Sequence, residues 1–452
     1  MPYRIYLLLP IILTFLTGAF SSGAFALPLP ENLPPNIVVI IGDDMGWPDF
    51  GFLGNTRVQT PTLDMLANRG VLFTSGHLYS SVCQPTQHSF LKGVHHDVPF
   101  SVPGMTLPSL VGLRRLVQND RGSLRHRRSV YTTFQAGKLW SHSPRAWGFG
   151  RHAAEGYPPG YPARQGNPNW AREGWNPAVC GSLGNRTTDC PAMADWRRFL
   201  GLRDWRDNKH RFFAVLTPEI PHTPYDASPV YYDLYKDTEG IVGNQRDHYP
   251  MTTWFDEVVW EIIRELRRRQ LHNDTLIIFF VDNGLNSESG FDMFDPDRYR
   301  GKGSLYELGM RTPVIFNYGD REGGVIYDDV VSLGDIFHTI IDITGSEHGL
   351  REEQIRSGVS LVPYLVLDGG PIEARTELVT RVGAPGRGVY GHVVRTSEWR
   401  YVQDLKNNRE ELYAIRDDPH EEHDLAPTAG DAVLARFRDA VVRWTTETLT
   451  LP

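Results

Sequence analysis

The sequence predicts an α/β fold, in which a large, mostly parallel β-sheet is sandwiched by helices and followed by a smaller C-terminal α+β subdomain. Three continuous apolar runs indicate the sheet, at residues 36–41, 212–217 and 275–281. Strands that are apolar on both sides are buried between two helix layers, as in parallel sheets. The pattern changes after about Gly345, where a hairpin and one apolar helical stripe replace such runs.

The N-terminus has the features of a signal peptide. One basic residue, Arg4, precedes an apolar run at residues 5–16, and small residues end in Ala24-Phe25-Ala26. The run is shorter than the ~20 residues that span a bilayer, which favours cleavage after Ala26 over an uncleaved anchor. We expect residues 1–26 to be a signal peptide, no membrane span in the mature chain, and export to the periplasm, the medium or the lysosome.

Length and composition bound the organisation of the chain. A net charge of −8 over 452 residues indicates no nucleic-acid partner. We expect the main α/β domain at residues 31–345, and a subdomain with a small antiparallel sheet and a terminal helix at residues 346–452.

In an oxidising compartment Cys180 and Cys190 are expected to pair, which leaves Cys83 alone.

Polar side chains follow two of the predicted strands. The first strand ends in Asp43 and Asp44, and the third ends in Asp282 and Asn283. Parallel strands bring these ends to one edge of the sheet, where open α/β sheets bind ligands. A single aspartate there most often caps a turn, but adjacent carboxylates repel unless a cation or a proton neutralises them. Three carboxylates and an amide oxygen favour Ca²⁺ or Mg²⁺ over Zn²⁺.

Helix signals lie between the strands. Residues 60–70 predict a helix with Pro61 at its start and Gly70 just past its end. Pro85 suits the first turn of a second helix, which places Cys83 at a helix N-terminus, where unpaired N–H groups favour an anion. Taken alone, Cys83 is also compatible with a buried, inert cysteine. Apolar residues at helical spacing within residues 255–266 indicate a crossover helix.

The C-terminal subdomain is predicted from two patterns. Residues 389–395 and 399–403 flank a polar turn and predict a hairpin. One apolar helical stripe near the end of the chain consists of Leu434, Phe437, Val441 and Trp444.

A series of segments, in order along the chain, resembles the motifs of the sulfatase family. These segments are residues 36–44, residues 60–73, Cys83-Gln84-Pro85, residues 131–138, Pro221-His222-Thr223-Pro224, residues 281–284, residues 300–307 and residues 411–426. The third segment is similar to the family's Cys-x-Pro-x-Arg motif, with Gln87 in place of the arginine. The resemblance covers nearly the whole mature chain. It implies an arylsulfatase-like or iduronate-sulfatase-like enzyme of the alkaline phosphatase superfamily, and the fold of that superfamily.

The resemblance also implies a chemistry. Cys83 is oxidised to formylglycine by a formylglycine-generating enzyme or its equivalent. The hydrated aldehyde attacks the sulfur of a sulfate ester, displaces the alcohol and then expels sulfate. The implied cation is Ca²⁺, with Mg²⁺ as the alternative, and its implied ligands are Asp43, Asp44, Asp282, Asn283 and the formylglycine at position 83.

Lysine and histidine complete the implied site. Lys138 and Lys302 stabilise the sulfate oxygens, and His222 donates to the leaving alcohol or holds a sulfate oxygen. Taken alone, Lys302 is also compatible with a mobile surface lysine, and His222 with a residue of a rigid turn. His142 is the nearest candidate for a further histidine of the family. Gln87 donates a hydrogen bond but brings no charge, unlike the family's arginine.

Three functions follow from these motifs. The first is hydrolysis of a small-molecule or carbohydrate sulfate ester. The second is a phosphatase or phosphonate hydrolase of the same superfamily, and the third is a non-catalytic binding protein on the same scaffold. The presence of the expected metal ligands and both lysines favours the first.

Overall fold

The computed structural model of the chain describes residues 35–96, 105–112, 116–118, 124–126, 131–138, 144–152, 191–206, 210–223, 225, 227–241, 243, 245–285, 300–320, 324–347, 350–366, 375–384 and 388–449. The predicted signal peptide, His142, Cys180 and Cys190 lie outside the described residues. Among the described residues, no helix combines the length and the hydropathy that a membrane crossing requires.

The described residues form fourteen strands. In chain order these are β1 (Asn36–Gly42), β2 (Val71–His77), β3 (Leu116–Gln118), β4 (Leu124–His126), β5 (Tyr131–Gly137), β6 (Arg151–His152), β7 (Arg211–Thr217), β8 (Thr275–Val281), β9 (Arg311–Tyr318), β10 (Val325–Ser332), β11 (Leu378–Ala384), β12 (Gly388–Arg395), β13 (Trp399–Asp404) and β14 (Arg409–Ala414).

The α-helices among the described residues are α1 (Pro61–Arg69), α2 (Cys83–Lys92), α3 (Leu107–Gly112), α4 (Pro191–Leu200), α5 (Pro229–Asp233), α6 (Gln245–Arg268), α7 (Glu307–Met310), α8 (Leu333–Thr344), α9 (Glu352–Ile355), α10 (Val362–Leu365) and α11 (Asp431–Leu449). Short 3₁₀ helices span Gly51–Leu53, Pro144–Trp147 and His272–Asp274.

Eight strands form one sheet, in the order β10-β2-β9-β8-β1-β7-β5-β6. β9 pairs antiparallel with β2 and β8, and the other pairs of this sheet are parallel. The three apolar runs are β8, β1 and β7, which lie side by side and are fully buried. The predicted mostly parallel sheet is thus confirmed.

Helices cover both faces of the large sheet. Val38 and Ile40 pack in a core with α1, α4 and α6, whereas Ile37 and Val39 pack with α2, α3 and α8. This alternation follows from the period of two residues in a strand. The predicted crossover helix is α6, which connects β7 to β8.

The smaller sheet is antiparallel, in the order β11-β12-β13-β14. Its β12 and β13 form the predicted hairpin. The terminal helix α11 covers one face, through contacts such as Phe437 on Tyr401. The other face packs on Leu305, Tyr306 and Met310, the segment that follows Lys302. The division at residues 345 and 346 stays a prediction.

Candidate active site

Two pairs of polar side chains meet at the C-terminal edge of the large sheet. Asp43 and Asp44 follow β1, and Asp282 and Asn283 follow β8. The two strands pair in parallel up to their ends, and the Asp282 N–H donates to the Gly42 carbonyl across 2.9 Å. All four side chains belong to buried residues, with at most 3% exposure. The sheet therefore gathers three carboxylates and one amide at a single point.

Several oxygens of this group lack donors. Asn283 Nδ2 donates to Asp44 Oδ1 across 2.7 Å. Within the described part of the chain, one buried oxygen of each side chain has no hydrogen-bond partner: Asp43 Oδ1, Asp44 Oδ2, Asp282 Oδ1 and Asn283 Oδ1. Buried acceptors without partners are costly, and one cation can satisfy several of them. An oxygen-only set of this kind fits Ca²⁺ or Mg²⁺.

Lys138 directly follows β5 and enters this group from the side. Its Nζ donates to Asp43 Oδ2 across 2.5 Å, and it lies 3.8 Å from both Cys83 Sγ and Glu219 Oε1. Burial by itself lowers the pKa of Lys138, but the charges of Asp43 and Glu219 hold that pKa well above its usual value. Lys138 is therefore a permanent positive charge beside the sulfur.

Lys302 is buried on the other side of the group, with 5% exposure. Its Nζ donates to Asp44 Oδ1. Its backbone N–H donates to the Leu285 carbonyl across 3.0 Å, and the next N–H, from Gly303, donates to the Ser81 carbonyl across 2.8 Å. Burial opposes the charge of Lys302, yet attraction to Asp44 raises its pKa. The alternative of a mobile surface lysine is wrong.

Cys83 is the first residue of α2 and points into the same space. The ligand atoms that lie within 4.8 Å of one another belong to Asp43, Asp44, Cys83 and His222. Burial raises the pKa of the Cys83 thiol above its usual range, although Lys138 and Lys302 act in the opposite direction. An unmodified Cys83 is therefore a neutral thiol, and neutral thiols are weak nucleophiles.

His222 closes the site on its more open side. Its Nδ1 lies 2.6 Å from the Thr223 carbonyl, so in the neutral ring Nδ1 carries the proton and donates. Nε2 lies 3.6 Å from Asp44 Oδ2. Burial, followed by repulsion from Lys138, lowers the pKa of His222. At neutral pH its Nε2 therefore faces the site as an acceptor, and it donates to a leaving alcohol only after it has gained a proton.

Gln87 lies one helical turn after Cys83 on α2 and is 2% exposed. Its Nε2 donates to Asp282 Oδ2 across 3.0 Å. Burial and repulsion from Asp43 raise the pKa of Asp282 well above its usual value. Gln87 thus holds one oxygen of this carboxylate without adding a charge.

Charges in the site do not balance among the described side chains. With every carboxylate counted as ionised, four carboxylates face two ammonium groups, a formal charge of −2. The carboxylates are those of Asp43, Asp44, Glu219 and Asp282, and the ammonium groups are those of Lys138 and Lys302. One divalent cation would neutralise this net negative charge. The buried oxygens that lack a hydrogen-bond donor indicate the same.

Two residues near the site were missed by sequence reasoning. Glu219 lies in the loop after β7, and a carboxylate after a buried strand is the same signal that identifies Asp43. His248, on α6, places Nε2 3.0 Å from the Asp44 carbonyl and is fully buried. No feature of the sequence around His248 indicates this contact.

Sequence comparison finds relatives for the chain. Residues 35–346 match the family described as Sulfatase. Arylsulfatase J of Mus musculus is 24% identical over 355 residues, which cover 73% of this chain and 54% of that protein. N-acetylgalactosamine-6-sulfatase of Sus scrofa is 24% identical over 366 residues, covering 74% and 66%. The chain thus spans between about half and two thirds of the length of these relatives.

Solved structures share the fold. The structure of Ps i-CgsB in complex with k-i-k-neocarrahexaose has a TM-score of 0.64 at 20% identity and covers 91% of this chain and 93% of that one. Phosphonate monoester hydrolase of Agrobacterium radiobacter has a TM-score of 0.59 at 16% identity, with coverage of 92% and 96%. The Sulfatase match spans more than half of the chain and contains every residue of the site described above. The chain belongs to the sulfatase family.

Proposed function

We propose that this protein hydrolyses sulfate esters with a formylglycine generated from Cys83, on a divalent cation that is Ca²⁺ or, as the alternative, Mg²⁺. The position of Cys83 carries the proposal. Its Sγ lies within 4.8 Å of ligand atoms of Asp43 and Asp44, and 3.8 Å from Lys138 Nζ. A nucleophile made at this position meets both the cation site and a permanent positive charge.

Each group has a distinct role in the proposal. Formylglycine supplies a hydrated aldehyde, whose hydroxyl oxygen is the nucleophile toward sulfur. The cation, for which Asp43, Asp44, Asp282 and Asn283 are the protein ligands, supplies charge that stabilises oxyanions. Lys138 and Lys302 bind the oxygens of the sulfate group, where negative charge is concentrated. His222 exchanges a proton at the leaving oxygen through Nε2.

A sulfated carbohydrate is the proposed substrate class. The name N-acetylgalactosamine-6-sulfatase and the neocarrahexaose complex of a structural neighbour support this choice. Export through the sequence at residues 1–26 and maturation by a formylglycine-generating enzyme complete the proposal.

Mass spectrometry together with a rate assay tests it. The chain is produced with a formylglycine-generating enzyme, and the peptide that contains Cys83 is expected to carry an aldehyde in place of the thiol. The matured protein is expected to hydrolyse 4-methylumbelliferyl sulfate, and Cys83→Ala to be inactive. A free thiol at Cys83 with no sulfatase activity contradicts the proposal. Faster turnover of 4-methylumbelliferyl phosphate selects a phosphatase, and a matured protein that turns over neither these aryl esters nor sulfated oligosaccharides is a binding protein.

A further inference from the structure

Asp44 has an unusual backbone conformation. Its φ is 60°, in the left-handed region that residues other than glycine rarely adopt. Successive side chains of an extended strand point to opposite faces of the sheet, so a simple continuation of β1 would separate Asp43 from Asp44. With the turn at Asp44, ligand atoms of Asp43, Asp44 and Cys83 lie within 4.8 Å of one another. The site therefore depends on a backbone conformation that is itself unfavourable.

A histidine from α6 binds the carbonyl of Asp44 in this turn. His248 Nε2 lies 3.0 Å from that carbonyl oxygen. Because a carbonyl oxygen only accepts hydrogen bonds, Nε2 is the nitrogen that carries the proton and donates. Asp44 and His248 both have 0% exposure, so bulk water does not reach the carbonyl as a substitute donor.

His248 is itself held in place. It lies near the start of α6, and its Nδ1 is 3.3 Å from Oγ1 of Thr252, which is one helical turn later. The ring of Tyr225 packs edge-on against the imidazole, with 5.8 Å between the ring centroids. Since α6 packs on the large sheet through its apolar face, the imidazole ties the turn at Asp44 to the core.

We propose that His248 is a positioning residue that fixes Asp44 in its left-handed turn and thereby keeps the Asp44 carboxylate at the cation site. Oδ1 of that carboxylate accepts from Lys302 and from Asn283. Oδ2 lies 3.6 Å from His222 Nε2. Relaxation of the turn would move all of these contacts together. The role toward the cation rests on the proposed function, whereas the role toward the backbone of Asp44 does not.

Two substitutions of His248 test the hydrogen bond without any turnover. His248→Leu removes the donor, whereas His248→Gln keeps an N–H donor at a reach similar to that of Nε2. We expect the Ca²⁺ affinity of the unmatured protein, measured by calorimetry, to fall at least tenfold in His248→Leu. In His248→Gln it should recover to within threefold of the wild type. Wild-type affinity in folded His248→Leu overturns the positioning role.

His338→Leu is the matched control. His338 also directs Nε2 to a backbone carbonyl, that of Gln354 at 2.7 Å, but it lies on α8 and outside the candidate site. Thermal melting shows that each variant is folded, and we expect His338→Leu to bind Ca²⁺ as the wild type does. An equal loss of affinity in His338→Leu would assign the effect to general destabilisation and overturn the proposal.

Crystal structures judge the backbone role separately from the proposed function. In His248→Leu we expect Asp44 to leave the left-handed conformation and its carboxylate to move away from Lys302. A structure of this variant in which Asp44 keeps both overturns the proposal, whatever cation the wild type binds. Failure of the wild type to bind either Ca²⁺ or Mg²⁺ contradicts the cation of the proposed function instead. If His248→Leu does not fold, His248→Asn replaces it with the same expected losses, because its shorter amide does not reach the carbonyl.

Discussion

The guanidinium of Arg400 donates from Nη1 to Oε1 of Glu307 across 2.6 Å, and both side chains are fully buried. Arg400 lies on β13 of the small sheet, whereas Glu307 begins α7, five residues after Lys302. Arg400 Nε also lies 2.7 Å from Glu421 Oε1, and Glu421 Oε2 accepts the Glu307 N–H across 2.8 Å. The small sheet thus holds the segment that carries Lys302 through buried charges.

Arg400→Met is expected to destabilise the fold strongly. The change removes the guanidinium that contacts both Glu307 and Glu421, although Arg395 stays 3.4 Å from Glu307, and breaking a buried pair in this way costs about 3–5 kcal/mol. Urea unfolding followed by tryptophan fluorescence measures the loss. Arg443→Met is the control, because Arg443 pairs with Glu377 at 2.7 Å but is 55% exposed, and its midpoint should hardly change. Equal urea midpoints for the two variants would contradict the stabilising role of Arg400.

His77 makes stability depend on pH. Its Nε2 lies 3.0 Å from Glu307 Oε1. Burial lowers the pKa of His77 from 6.5 to about 4, although Glu307 acts in the opposite direction, and the charges of Arg400 and Arg395 lower it further. As pH falls from 6.5 to 4, the unfolded chain gains a proton that the folded chain does not bind, so stability is lost in this window.

The variant His77→Gln isolates this effect. Between pH 7 and pH 4.5 the wild type should lose about 2–3 kcal/mol more free energy of unfolding than the variant, because one pKa unit corresponds to about 1.4 kcal/mol. Urea unfolding of both proteins at the two pH values measures the difference. Equal losses of unfolding free energy in the two proteins would contradict the role of His77.

Calcium removal is expected to lower thermal stability. The proposed cation would bind the folded chain and relieve repulsion among Asp43, Asp44 and Asp282, so a concentration one hundred times its Kd would add about 2.7 kcal/mol. Scanning calorimetry with EDTA and with excess Ca²⁺ measures this shift. It should be largely absent in Asp43→Asn and retained in Asp328→Asn, whose carboxylate is 79% exposed. A full shift in Asp43→Asn would place the cation elsewhere.

Gly137→Ala is expected to disturb the position of Lys138. Gly137 has a φ of 95°, and a Cβ there would lie 2.2 Å from the Thr217 carbonyl oxygen, which also accepts the Lys138 N–H at 2.7 Å. We expect a cost of about 2–4 kcal/mol and at least a tenfold loss of sulfatase activity. Gly430→Ala, at an exposed glycine with open space around it, is the control for thermal melting and for the rate. Retained activity in Gly137→Ala would contradict the role of Lys138.

Local sequence patterns were sufficient to predict much of the fold and of the candidate site. Apolar runs identified β1, β7 and β8, and polar residues directly after strands identified Asp43, Asp44, Asp282 and Asn283. Strand direction then determined that these ends meet, since parallel pairing follows from buried runs linked by a crossover helix. The family resemblance supplied the two lysines and His222, whose immediate sequence is ambiguous.

Contacts between distant segments were not predictable from the sequence. Arg400 and Glu307 are 93 residues apart, and neither lies in a pattern that reveals a buried charge. The contact of His248 with the Asp44 carbonyl spans 204 residues and depends on how α6 crosses the sheet. Such pairs are fixed by tertiary packing, which overrides the usual expectation that charged side chains are exposed.

The positions of the site residues along the chain also determine the order in which their contacts can form during synthesis. Asn283 meets Asp44 across 239 residues, and Lys302 meets it across 258. A ribosome that works from the N-terminus therefore releases Asp44 long before Asn283 and Lys302 exist, and contacts of this range form late and slowly. Until β8 has docked beside β1, Asp43 can meet Lys138, which lies 95 residues away, but Asp44 lacks Asn283 and Lys302. The onset of cation binding at the proposed site during refolding should therefore report the docking of β8, independently of any enzymatic assay.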